Sequence, residues 1–102
     1  MAISSGTLSS TSSPALSNAS AVTLCTVPPG EATVIISNNS GATVYVAAGV
    51  TATTANGFAI PTGAPPVPIP TYPTSTGTTL SIIAGTAPTA GAPVSWLISN
   101  TN

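Results

Sequence analysis

Ala32-Thr-Val-Ile-Ile-Ser-Asn-Asn-Ser-Gly-Ala-Thr-Val-Tyr-Val-Ala47 reads as strand, turn, strand. Val34, Ile35 and Ile36 stand in succession, which suits a strand covered on both faces better than a half-exposed one. Val44 and Val46 then alternate against Thr43 and Tyr45, the period of a strand with one apolar face. Between them, Asn38-Asn39-Ser40-Gly41 supplies residue types that tolerate positive φ, so the segment carries the strongest hairpin signal in the chain.

The same punctuation continues on both sides. Upstream, Ala21 to Val27 sets Val22 and Leu24 against Thr23 and Cys25, and Pro28-Pro29-Gly30 closes it as a turn. Downstream, Val50 to Pro61 reads as a loop that drops Phe58 and Ile60 back onto the core. Pro61 to Pro73 holds six prolines with Val67, Ile69 and Tyr72 among them. Proline has no ladder donor, so this stretch is either polyproline II or a poorly paired edge, never a central strand. Thr79 to Ala84 and Pro93 to Ser99 supply the last two strands, the latter with Val94, Trp96 and Ile98 inward against Ser95, Leu97 and Ser99. No helix is needed. Five or six short strands punctuated by Gly and Pro predict an all-β fold, a small antiparallel β-sandwich or barrel. The Thr-rich pieces lack a fixed period, which argues against a solenoid.

Composition agrees. The 102 residues include 18 Thr, 8 Val and 8 Ile, so β-branched side chains make up a third of the chain, and branching at Cβ favours the pleated surface over the helix. Val, Ile and Leu total 21, enough for a modest core.

Charge decides what the chain can do. There is no Lys, Arg or His, and Glu31 is the single acid, for a net charge of −1. Acid–base catalysis and most metal and cofactor sites draw on the absent residues, so the expectation is no enzyme, no cofactor and no metal. Nucleic-acid binding needs Lys and Arg to neutralise phosphates, and a basic membrane patch needs the same, so neither partner is expected. A chain this poor in charge is badly protected against self-association, which predicts packing against copies of itself or a larger partner.

Individual candidates reduce to structural roles. Cys25 has no His to act as its base, and one Cys makes no intramolecular disulfide, so a buried strand residue is expected. Glu31 reads as a solvated carboxylate after a turn. Asn18-Ala19-Ser20 and Asn38-Asn39-Ser40 match the glycosylation pattern, as chance allows among 32 Ser and Thr residues. Pro65-Pro66-Val67-Pro68 lacks the flanking basic residue of a groove ligand and reads as a stiff loop. Tyr45, Phe58, Tyr72 and Trp96 are too scattered for a base-stacking platform. The N-terminus has neither a basic region nor an apolar run, so synthesis in the cytoplasm is expected.

Residues 1–20 differ from the rest, being mostly Ser, Thr, Ala and Gly with isolated Ile3, Leu8 and Leu16. They predict an extended N-terminal arm ahead of a body at residues 21–102. Such a segment cannot build a core alone, so Ile3, Leu8 and Leu16 are assigned as anchors seated on a partner.

The order of features from Ala21 to Ser99 resembles a family of small virion proteins of tailed bacteriophages. The matching pieces are Val27-Pro-Pro-Gly30, Val34-Ile-Ile-Ser-Asn38, Val44-Tyr-Val-Ala-Ala-Gly49, Thr54-Ala-Asn-Gly-Phe58, Ile60-Pro-Thr-Gly63, Leu80-Ser-Ile-Ile-Ala-Gly85 and the strand from Val94 through Leu97. The Asn-Gly-Phe…Pro-x-Gly segment is the most specific. Ala64 to Pro73 departs from the pattern as a proline-rich insertion. The resemblance implies a capsid decoration (cement) protein on the virion exterior, made in the host cytoplasm, bound to the major capsid protein and self-associated as a homotrimer, with no catalytic residues. The alternative is a tail or fibre accessory module that contacts a host-surface polymer.

Overall fold

A computed structural model describes residues 3–29, 32–71 and 77–100. Gly30, Glu31 and Tyr72, singled out above, lie outside them. The described residues form eight strands and no helix: β1 (Ile3–Leu8), β2 (Val22–Val27), β3 (Ala32–Asn38), β4 (Val44–Ala48), β5 (Phe58–Ile60), β6 (Val67–Thr71), β7 (Thr78–Ala84) and β8 (Val94–Asn100). They make two antiparallel four-stranded sheets, β1-β8-β3-β6 and β2-β7-β4-β5, packed as a β-sandwich.

The pairing is nested. β4 pairs with β5, β3 with β6, β2 with β7 and β1 with β8, as though one long hairpin with its tip between β4 and β5 had been rolled across two layers. Contacts of β8 with β3 and of β7 with β4 complete the sheets. This is the strand order of a jelly roll.

The core fills the space between the sheets with Val34 and Ile36 of β3, Val44 and Val46 of β4, Leu80 and Ile82 of β7, and Val94 and Ile98 of β8, all buried. Period-2 alternation explains most of this list. β2 breaks the period: Leu24 and Cys25 are both buried because a bulge between Thr23 and Cys25 lets two successive residues face inward.

Three expectations require correction. Residues 38–41 do not close a hairpin, since β3 and β4 lie in different sheets and the chain crosses the sandwich there. Among the described residues, β4 and β5 are the only consecutive strands that pair. The physical reason is Asn38, which no described backbone geometry requires for positive φ. Its side chain is fully buried and turns the chain inward through hydrogen bonds. Asn38 Nδ2 donates to the carbonyls of Ala42 at 2.8 Å and Ile60 at 2.7 Å, while Oδ1 accepts from Ser40 N at 3.0 Å and Ser40 Oγ at 2.7 Å. Two other loops close on the same turn: Gly63 N donates to Asn38 O, and Thr89 N donates to Ser40 O.

Gly41 does have the positive φ expected of this turn, +83°, and a Cβ there would collide with Thr89 Oγ1. Gly41→Val is therefore expected to cost about 1 kcal/mol or more, from backbone strain plus the displaced loop, and a lowered melting temperature checks it.

The second correction concerns residues 1–20. Ile3–Leu8 is strand β1, paired with β8 from Ile3 opposite Ser99 to Leu8 opposite Val94. Leu8 (4% exposed) and Leu16 (2%) belong to the chain's own core. The sequence reading seated both on a partner. The segment has too few apolar residues for a core of its own, but it needs none, because β8 and the sheet interior supply the surface. Gly6 makes the fit possible: it lies against the Trp96 ring, where a Cβ would come within 2.6 Å of Trp96 Cζ2. After β1, Leu16 N donates to Ser9 O and Ala84 N to Ser17 O, tying the link between the two sheets to the body.

Thirdly, Val67 and Pro68, read as part of a stiff loop, belong to a strand, while the reading of the whole proline-rich stretch holds. β6 is an edge that pairs only with β3, one of the two alternatives the prolines allowed. Alternate residues of an edge strand direct their amides toward the neighbour or away from it. Pro68 and Pro70 share one parity, and a ladder with β3 needs donors, so the prolines take the outward positions.

Candidate interaction surface

The clearest feature at the molecular surface is an apolar cleft of about 340 Å³ where one side of the sandwich stays open. Its walls are Val46 and Ala48 of β4, Phe58 of β5 and Leu80 of β7, faced by Pro68, Ile69 and Pro70 of β6. The opening follows from strand length. β5 has three residues, and its pairing with β4 ends at Val46 opposite Phe58, so Ala48 has no neighbour on that side.

Phe58 was expected to drop back onto the core. It shares the parity of Ile60, whose side chain is buried, and so lies on the core side of its sheet. Nothing closes the sandwich at that point, and Phe58 is 58% exposed. With Val50 and Leu97 it is one of the large apolar side chains left in solvent among the described residues.

A second cleft, about 590 Å³, lies between β2, the start of β7 and the loop after β4, with Val22, Val50, Thr23, Thr51, Thr79 and Ser81 among its lining. The loop is held there by Ala52, a buried residue whose N–H donates to Ser81 Oγ at 3.0 Å.

The remaining candidates fall elsewhere. Cys25 is buried, and desolvation pushes its thiol up to about 11, so it is protonated at neutral pH. Among the described residues, no three His, Cys, Asp or Glu side chains come together as a metal would need. Of the three assigned anchors, Leu8 and Leu16 are interior, and Ile3 opens strand β1. The apolar cleft was not legible as a site, because prolines and a single Phe around a turn give no motif. The mismatch in length between β5 and its neighbour creates it.

No protein-family model, curated protein or solved structure matches the chain.

Proposed function

We propose that this chain is a non-enzymatic structural protein of a virion, a decoration protein that stabilises a capsid by binding the major capsid protein and other copies of itself. The observation that carries this reading is Phe58 exposed beside an apolar cleft on a chain with no basic residue and one acid. Such a surface suits a partner held by shape, apolar contact and backbone hydrogen bonds. The jelly-roll order is shared by viral capsid domains, lectins and cupins, so it supports the reading only by analogy. Cupin-type metal chemistry draws on His ligands, which this chain lacks.

The cleft lined by Thr and Ser residues favours a second reading, a tail or fibre accessory module that contacts a host-surface polymer. Copy number separates the two. Mass spectrometry of purified particles is expected to find hundreds of copies for decoration, and a handful would transfer the protein to the tail.

Attachment is expected to be nearly insensitive to salt. With Glu31 as the only charged side chain, screening has almost nothing to act on. Raising NaCl from about 0.1 M to about 1 M should leave the particle-bound fraction unchanged, since charged interactions are what salt screens. Release across that range would count against apolar and backbone attachment.

A further inference from the structure

The two sheets present four edge strands, β1 and β6 on one and β2 and β5 on the other. An edge invites another strand unless something blocks it, and three of these are blocked. β6 carries Pro68 and Pro70 at its outward positions. β5 is three residues long. β2 is interrupted by its bulge and runs into Pro28-Pro29. β1 has no such device: it is six residues long, in unbroken register with β8, with no proline and no charge. Ser5 and Thr7, on its outer face, are exposed.

We propose that β1 pairs with the β1 strand of a second copy, antiparallel across a two-fold axis, joining two four-stranded sheets into one of eight strands. A copy of this chain can offer no other edge, since its β2, β5 and β6 are blocked in the same way. Symmetric pairing brings like residues near each other, which like charges would oppose, and β1 carries none. An axis normal to the sheet keeps each side chain on its own face, so the register centres on Ser5 or on Gly6. Ser5 then faces Ser5 or Thr7 of the other copy, a hydroxyl pair in either case. This two-fold contact differs from the threefold arrangement that the family resemblance implies. It stands independently of what the molecule attaches to.

The test is the mass of the full chain in solution. Light scattering is expected to give twice the chain's 9.7 kDa. Ser5→Lys and Ser5→Glu should each return the single-chain mass, and an equimolar mixture of the two should return the doubled mass. Both variants should keep the unfolding transition of the dilute parent, because Ser5 is exposed. If either fails to fold, Thr7→Lys and Thr7→Glu, on the same face, repeat the test. A parent that stays at the single-chain mass overturns the proposal. So does a dimer or trimer that persists in the charged variants, because its contact then lies away from β1.

Discussion

A chain beginning at Ala21 is expected to lose cooperative unfolding at ambient temperature, giving a broad and weak melt in place of a single transition. The deletion strips β8 of its β1 partner and empties the sites of Leu8 and Leu16, two of the buried leucines of the core. Substitution isolates the packing contribution from the backbone. Leu8→Ala and Leu16→Ala should each cost about 2 to 5 kcal/mol, the usual range for a leucine removed from a packed interior. Together they approach the whole stability of a chain this size, about 5 to 15 kcal/mol. Denaturant titration of both single variants and the double variant measures this. A truncated chain that melts within a few degrees of the full one would show that residues 1–20 contribute nothing to the body, against the placement of Leu8 and Leu16.

Asn38→Leu is expected to be the most damaging single substitution at the turn between the sheets. Among the described residues, every buried side-chain polar atom has a partner, and the Asn38 side chain pairs with four polar groups at once, three of them backbone. Leucine of similar volume removes them all. Ser40 Oγ can still donate to Ala42 O at 3.1 Å, but Ile60 O and the Ser40 N–H lose their Asn38 partner inside the protein. At about 1 to 3 kcal/mol for each stranded group, the loss is about 2 to 6 kcal/mol. The midpoint of urea unfolding should fall with its slope unchanged. A midpoint unmoved by Asn38→Leu would mean that the crossing is held by the other loops, through Gly63 N and Thr89 N.

The strands legible in the sequence were those whose own residues carry the period. β3, β4, β7 and β8 show runs or alternations of Val, Ile and Leu that mark them as strands, although β3 buries Val34 and Ile36 and leaves Ile35 partly exposed, so the run is covered on one face and not on both. β1 was not legible, because Ser, Gly and Thr fill all but its two ends and its stability comes from the strand beside it. Residues 38–41 were legible as a turn but not as a crossing. Spacing tells where the chain reverses, while the destination depends on where the Asn38 side chain finds its partners. β5 is too short to show any period, and so the open side of the sandwich, with Phe58 on its rim, had no signal in the chain.

The nested pairing also fixes an order of events. Only β4 and β5 can meet by closing a short loop. Each further pair spans more chain, until β1 must wait for β8, the eighth of the described strands. Closing long loops comes before the contacts that reward it, which places such topologies among slow folders, in the millisecond to second range. During synthesis β1 precedes the other seven strands and stays without its native neighbour until β8 has been made. Its row of Ser, Gly and Thr, with apolar residues only at the ends, keeps that wait from exposing a hydrophobic strand.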